Sequence, residues 1–216
     1  SANTTINPKV TVNLAKSFGG ESSDEGFGVD VDKEGNIYIT GSFEDSVSFG
    51  DDITLESNGR SDAIVAKLDE AGEVVWVQQF GGVSADEAKD ITVDEAGNTY
   101  VTGRFKSSVI FGKPTSFKEE DNLEEDNLEM VVADGESDDS EEETEETSIT
   151  LQSIDDEDIF VAKLDSSGKV KWAKSFGGES RDYGEGITVD KLGNSYIAGR
   201  FLDTATFGEE NSFTSE

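Results

Sequence analysis

The chain has 216 residues, and 49 Asp and Glu residues against 17 Lys and Arg residues give it a formal net charge of −32. Nucleic acid and anionic membrane surfaces bind through clustered positive charge, so we expect neither as a partner. The chain contains no Cys and no His, which excludes disulfides, thiolate zinc sites and histidine-dependent catalysis.

The N-terminal residues lack the basic start and apolar core of an intact signal peptide, and we expect residues 1–11 to form an arm. Residues 12–17 are predicted to form the last strand of a preceding repeat unit, because they align with residues 74–79 and 170–175. No stretch of the chain approaches the roughly 20 apolar residues of a membrane span. We therefore expect no membrane insertion.

Three repeat units follow the arm, since several motifs recur in the same order. Phe18-Gly19-Gly20 returns at residues 80–82 and 176–178, which gives offsets of 62 and 96 residues. A second block, Asp62-Ala-Ile-Val-Ala-Lys-Leu-Asp69, returns as Asp158-Ile-Phe-Val-Ala-Lys-Leu-Asp165. The units are expected at residues 18–79 (blade 1), 80–175 (blade 2) and 176–216 (a partial blade 3).

Each unit is predicted to contain four short antiparallel strands. Apolar and polar residues alternate at period two, and the turns have the pattern Asp-x-x-Gly, in which Asp caps the turn and Gly takes a positive φ. Such units, repeated with fixed turn chemistry, predict an all-β fold and a β-propeller rather than a sandwich or a helical solenoid. Eleven strands are expected, whereas closed propellers need at least about four blades. The chain is then a fragment of a longer propeller, or several copies complete one another.

An acidic low-complexity insert, at about residues 114–147, accounts for the longer second offset. Residues 118–147 contain 16 acidic residues and one Lys, a net charge of −15, which leaves −17 for the rest of the chain. Such a segment buries too little apolar surface to offset its ordering entropy, so it is predicted to be a solvated, disordered loop expansion. The alternative interpretation is a low-affinity Ca²⁺ site or a tether for a cationic partner, since clustered carboxylates suit hard cations.

The repeat resembles the bacterial β-propeller repeat called SBBP. Its pattern of Trp-Ala-Lys-x-Phe-Gly-Gly, then Val-Asp-x-x-Gly-Asn-x-Tyr-x-x-Gly-x-Phe, is closely matched by residues 172–178 and 189–201, and Asp-x-Phe-Val-Ala-Lys-Leu by residues 158–164. The resemblance implies a propeller fold and a secreted or cell-surface prokaryotic protein. It implies no enzymatic activity.

The loops after each fourth strand hold the candidate site residues. Asp24, Asp86 and Asp182 recur there, and these loops are expected on one face of the propeller with the insert beside them. The three carboxylates are candidates for a binding surface or a Ca²⁺ site, whereas the alternative is that each one caps its own loop. Tyr183 has no aromatic counterpart in the other units and is predicted to make surface contacts. In the insert, the candidate Ca²⁺ ligands are Glu119, Glu120, Asp121, Glu124, Glu125 and Asp126.

Recurring aromatic residues are predicted to form the core between blades, namely Trp76, Phe80, Trp172 and Phe176. No pair of carboxylates is singled out for acid–base catalysis, so the chain is not expected to be an enzyme. We expect an extracellular adhesion, scaffold or assembly module that needs no cofactor. The alternatives are a Ca²⁺-dependent or cationic-partner-binding module, and a subunit of an oligomer or filament joined by edge-strand pairing. The expected partners are a protein or glycan surface, or other copies of the chain.

Overall fold

The computed structural model describes residues 14–50, 53–112, 148–208 and 211–215, and these residues form strands, turns and loops without a helix. No helix able to cross a membrane is present in this part of the chain. All strand pairs are antiparallel, which confirms the predicted all-β class. The strands are β1 Asp24–Val31, β2 Ile37–Phe43, β3 Ser46–Ser48, β4 Thr54–Glu56, β5 Asp62–Leu68, β6 Val74–Phe80, β7 Glu87–Val93, β8 Thr99–Phe111, β9 Ile149–Leu164, β10 Val170–Gly178, β11 Tyr183–Val189, β12 Ser195–Arg200, β13 Thr204–Thr206 and β14 Ser212–Thr214.

The three repeat units fold as propeller blades. Blade 1 is a four-stranded sheet in the order β1-β2-β5-β6, and blade 2 uses β7, β8, β9 and β10 in the same order. Blade 3 contributes the two-stranded sheet β11-β12. The arrangement agrees with an incomplete propeller of two full blades and a partial one.

A hairpin arm, which the sequence did not predict, follows the second strand of each unit. It is β3-β4 in unit 1, the distal ends of β8 and β9 in unit 2, and β13-β14 in unit 3. The chain turns from blade to arm at Asp45, Ser107 and Asp203, which have φ values of 58°, 65° and 55°. Because of these arms the described residues contain 14 strands, not the 11 expected.

Residues 14–17 form no strand, although a strand was expected at residues 12–17. A fourth strand pairs with the third strand of its own blade, and no such strand is present among the described residues for this segment. Instead, Lys16 Nζ lies 2.9 Å from Glu73 Oε1, and Gly19 bridges to Ser48 of the first arm.

The Asp-x-x-Gly turns form as predicted. In blade 2, the Asp94 carboxylate accepts hydrogen bonds from the N–H groups of Ala96 and Asn98, the Asn98 side chain and the Tyr100 hydroxyl. Gly97 has a φ of 79° and donates its N–H to the Asp94 carbonyl. Partial burial raises the pKa of Asp94, but these hydrogen bonds outweigh it and hold the pKa below its usual value. The same turn recurs at Asp32, Asp69, Asp165 and Asp190.

Two of the three buried clusters in the described residues lie between blades, and the third packs blade 1 against Val47 and Leu55 of its own arm. Tyr38, Val65 and Trp76 of blade 1 share one buried cluster with Ile91 and Phe160 of blade 2. A second cluster joins blades 2 and 3 and includes Tyr100, Ile187, Trp172 and Phe176. The recurring aromatic residues therefore form the inter-blade core, as predicted.

The turn at Gly168 gives a stability test of one blade junction. A Cβ at this position would lie 2.8 Å from Cδ2 of Trp76, and the Trp76 indole donates to the Ser166 carbonyl. Gly208 has a similar φ of 78° but nothing within 4 Å of a Cβ. Both Gly→Ala changes carry a backbone cost of about 1 kcal/mol, and only Gly168→Ala adds a clash with a rigid ring. We expect Gly168→Ala to lower the melting temperature at least twice as much as Gly208→Ala in a thermal melt, and equal losses would contradict this contact.

Candidate binding surface

The recurring loop aspartates hold their own loops together. Asp86 accepts hydrogen bonds from the N–H groups of Gly82 at 2.8 Å and Lys106 at 3.3 Å. Asp182 does the same with Gly178 and Leu202, and both aspartates are fully buried. Asp24 accepts the N–H of Gly20 at 2.7 Å. These contacts are those of loop caps, because the carboxylates face backbone donors rather than solvent.

The structure brings no metal site together in the residues it describes. In that part of the chain, Asp24, Asp86 and Asp182 belong to no group of three or more acidic side chains close enough to hold a metal ion. The candidate ligands of the acidic insert, Glu119 to Asp126, lie outside the described residues. The strands that flank the insert are described, and Phe111 pairs with Ile149. The insert therefore joins two paired strand ends at the tip of the second arm.

Each blade junction contains a second buried aspartate that the sequence reasoning missed. Asp62 begins β5, and Asp158 holds the matching position within β9. Each has one carboxylate oxygen, Oδ1, that is buried without a hydrogen-bond partner. A Cβ on Gly177 would lie 2.5 Å from Asp158 Oδ1 and 2.8 Å from Asp182 Oδ2, so both carboxylates flank one glycine. The recurrence of Asp62 and Asp158 was visible in the sequence, but nothing there indicated that strand three delivers them beside the loop aspartates.

The paired aspartates have raised pKa values. Burial is the main cause for Asp158, and the nearby Asp182 carboxylate adds to it, so that its pKa rises to about 7 despite the hydrogen bond from the Ile154 N–H. At the other junction, burial and the Asp62 carboxylate raise the pKa of Asp86 to about 7 against its two backbone hydrogen bonds. Burial also raises the pKa of Asp182. The junctions therefore bind protons more tightly than the unfolded chain does.

Tyr183 is buried, so the prediction that it makes surface contacts is wrong. It is 8% exposed, and its ring lies between the guanidinium groups of Arg104 and Arg200 at 4.9 and 4.4 Å. Its hydroxyl donates to Glu157 Oε2 at 2.8 Å. The lack of an aromatic counterpart was misleading, because Glu87 occupies the equivalent position in blade 2 and binds Arg104 there as well.

One apolar face of blade 1 is covered only in part in the described residues. Phe43, Phe49 and Ile64 are buried in a cluster with the first arm, whereas Ile39 is half-buried and Val29 is 67% exposed. We call this face the blade-1 open face and define it by Val29, Ile39, Phe43, Phe49 and Ile64. A cavity of about 420 Å³ lies on it, lined also by Phe18 and Val47, with Lys16, Asp24 and Glu25 among its polar lining residues. The equivalent residues of blade 2 are covered by blade 1 and are almost completely buried, namely Ile91, Val101, Phe105, Phe111 and Phe160.

The contrast is sharpest at the first strand. Val29 of β1 is 67% exposed, whereas Ile91, at the same position of β7, is 3% exposed. The sequence is apolar at both positions because both belong to a blade face that packs on a neighbour. The blade-1 open face therefore has the composition of a blade junction without the neighbouring blade.

The raised pKa of Asp158 predicts a pH-dependent stability effect. Its folded-state pKa is raised, so its contribution to stability is fully present below about pH 4 and is lost as the pH rises through about 7. Asp158→Asn cannot ionise, and its amide is able to donate to Asp182. We expect the variant to melt at least about 3 °C above the wild type at pH 8 and close to it at pH 4.5.

A substitution at Asp94 serves as the control, because its effect on the melting temperature should have the opposite sign. The pKa of Asp94 is lowered by its turn hydrogen bonds, so this group stabilises the fold above about pH 4 and loses that effect in acid. Asp94→Asn should therefore melt below the wild type at pH 8, and the gap should shrink in acid. Parallel pH trends for the two variants in thermal melts would refute the assignment at Asp158.

Comparison with known proteins agrees with the architecture. The family model of the beta-propeller repeat SBBP matches residues 18–42, 75–104 and 171–200, and each region contains the first two strands of a blade. No curated protein matches the chain in a sequence search. The chain is therefore a β-propeller protein that carries three SBBP repeats.

Proposed function

We propose that the chain is a non-enzymatic assembly module that binds another polypeptide through a partly uncovered blade face, as part of an adhesion or scaffold protein on a prokaryotic cell surface. The repeat family indicates a protein-interaction module in general terms. The observation that carries the finer proposal is the blade-1 open face. Phe27 and Val29 of β1, which line its cavity, are 37% and 67% exposed, and exposed apolar surface marks interaction sites in folded proteins.

The chemistry of the open face favours a polypeptide partner. Aromatic and branched aliphatic side chains make up about half of its cavity lining, and glycines and polar residues such as Lys16 and Glu25 make up the rest. At the equivalent junction, the covering residues are Tyr38, Ala63, Val65 and Trp76 of the preceding blade. A partner that presents a similar row of side chains would fit the same position.

The site does not favour catalysis. Asp86 and Asp158, whose pKa values are about 7, are enclosed in blade junctions, and neither lines the cavity on blade 1. Enzymes place such groups where substrate reaches them. We therefore propose a binding role without a required cofactor.

A chain extended by one blade tests whether the blade-1 open face can pack against a neighbouring blade. A second copy of residues 18–79 inserted before Phe18 keeps the natural repeat spacing and places a copy of the Tyr38 and Trp76 row over the original blade 1. We expect a higher melting temperature, because exposed apolar surface becomes buried at about 25 cal/mol per Å².

Substitution of the original Val29 by Asp provides the control. The change should be tolerated in the unextended chain, where Val29 is exposed, and should lower the melting temperature of the extended chain by several degrees. If Val29→Asp changes the melting temperature of both chains equally, the blade-1 open face does not pack against the added blade and the proposal fails.

A second candidate function is weak binding of Ca²⁺ or a cationic partner by the insert, which carries −15 of the total charge within residues 118–147. The first arm provides a short connection that can replace the insert. There Phe49 and Ile53 are joined by Gly-Asp-Asp, and the Phe49 N–H donates to the Ile53 carbonyl. Replacing residues 113–148 by Asp-Asp copies this connection. We expect the full chain to bind Ca²⁺ in calorimetry with a Kd near the millimolar range, and the shortened chain to lose most of that binding while keeping its melting temperature. Equal binding by both chains would place the cation elsewhere.

A further inference from the structure

Strand β12 of blade 3 has a free edge. In the described residues it pairs only with β11. The corresponding strands of blades 1 and 2, β2 and β8, carry a third strand on that side, β5 or β9, in the same seven-residue register. Tyr196 of β12 is 57% exposed, whereas Tyr38 and Tyr100 are fully buried.

The side chains on β12 are already arranged for a third strand. The hydroxyl of Tyr196 donates to Asp190 Oδ2 at 3.1 Å, as Tyr38 does to Asp32 and Tyr100 to Asp94. In the two complete blades a Lys of the third strand lies over the tyrosine ring, with Lys67 at 5.2 Å from Tyr38 and Lys163 at 4.8 Å from Tyr100. The register places the equivalent Lys of an added strand opposite Tyr196.

The residue that precedes the Asp of the third strand differs between the blades, together with its partner on the second strand. In blade 2, Arg104 of β8 lies 3.2 Å from Glu157, the residue that precedes Asp158 at the start of the third-strand block. Blade 1 has Ser42 and Ser61 at these two positions. Blade 3 has Arg200, which is exposed, lies 4.4 Å from the centre of the Tyr183 ring and pairs with Glu185 at 3.3 Å. A second Glu partner is compatible with this, since Arg104 in blade 2 pairs with both Glu87 and Glu157. The edge of β12 is therefore matched to a strand that begins with Glu rather than Ser.

We propose that the free edge of β12 binds an extended polypeptide strand of the type Glu-Asp-x-(Ile or Phe)-Val-Ala-Lys-Leu by antiparallel strand addition. Main-chain hydrogen bonds to β12 supply the affinity, and side-chain contacts set the register. The Lys lies over Tyr196 and the Glu pairs with Arg200. This inference rests on the proposed function and names the partner of a second surface, away from the blade-1 open face.

The occupant is a strand that is not yet part of a folded sheet, rather than a folded second copy of this chain. The strands of the required type, β5 and β9, are each paired on both sides within their own blades. A second copy would have to lose these pairings and expose buried residues such as Val65 and Val161. A segment that is not already part of a sheet binds without that cost.

Two peptides taken from this chain test the proposal. Residues 157–164 give Glu-Asp-Ile-Phe-Val-Ala-Lys-Leu and residues 61–68 give Ser-Asp-Ala-Ile-Val-Ala-Lys-Leu, each labelled with a fluorophore through a Gly-Ser linker. We expect the first peptide to bind the full chain in fluorescence anisotropy at least about fivefold more tightly than the second, because a charged pair contributes about 1 kcal/mol. Replacing the central Val of the first peptide by Pro should abolish binding, since Pro removes a strand hydrogen bond.

Variants of the protein locate the site and the register. Arg200→Ser copies blade 1 and should remove the preference for the Glu peptide, and Tyr196→Ala should weaken both peptides several-fold. Tyr196 is exposed, so Tyr196→Ala should leave the melting temperature close to that of the wild type. Arg200→Ser should lower it only slightly, because the ion pair with Glu185 is exposed and Arg104 still covers the Tyr183 ring. Hydrogen exchange of the Ile197 to Gly199 amides should slow when the peptide is bound.

Three outcomes would overturn the proposal: no binding of either peptide, equal binding of the Pro-containing peptide, or a preference that Arg200→Ser leaves unchanged. Val29→Asp serves as the control that separates this inference from the proposed function. It alters the blade-1 open face and should leave peptide binding at β12 intact. Failure of the peptide at β12 therefore leaves the blade-extension experiment to be judged by itself.

Discussion

The fold depends on the stacking of blades, because each blade has two apolar faces and no single sheet can bury both. Tyr38 and Val65 project to one side of blade 1, and Phe43 and Ile64 belong to the cluster on its other side. The core between blades 1 and 2 contains residues of both units. Stability in such a protein is carried by the contacts between neighbouring repeats, and a blade face without a neighbour keeps the composition of a core.

Aspartates fix the blades in this stack. Asp30 accepts the N–H of Val93 and the hydroxyl of Thr92 in the next blade, and Asp90 accepts the N–H of Ile187 in the blade after that. Asp86 and Asp182 close the loops that carry the chain from one blade to the next. Many acidic residues of the propeller body therefore have a structural role. Their carboxylates accept hydrogen bonds from backbone N–H groups that have no strand partner where the chain passes from one blade to the next. The same residues look like ligand candidates in a sequence, which explains why the loop aspartates attracted attention as a site.

The repeats made the fold predictable from the sequence. The features that could not be predicted are the short arm strands and the contacts between residues of different strands. Recurrence of Trp76 and Phe80 located the inter-blade core, and the Asp-x-x-Gly spacing gave the positions of the turns, the Asp caps and the positive φ of the glycines. The arms were missed because β3, β4, β13 and β14 have only three residues each, too few for a periodic signal. Tyr183 was misassigned because its burial depends on Arg104 and Arg200, which come from other strands. The pairing of Asp62 with Asp86 was equally invisible, since it arises only when strand three of one unit meets the loop into the next.

The second hairpin arm has a consequence for how this propeller tolerates change. Its strand pairs hold Phe111 beside Ile149, so the blade receives the same two strand ends whatever the chain does between them. The free energy needed to close a flexible connection rises only with the logarithm of its length, and the first arm makes the same closure with three residues. The sequence at the arm tip can therefore change without disturbing the strands of the blade. A foreign peptide or small domain inserted there would leave the propeller folded.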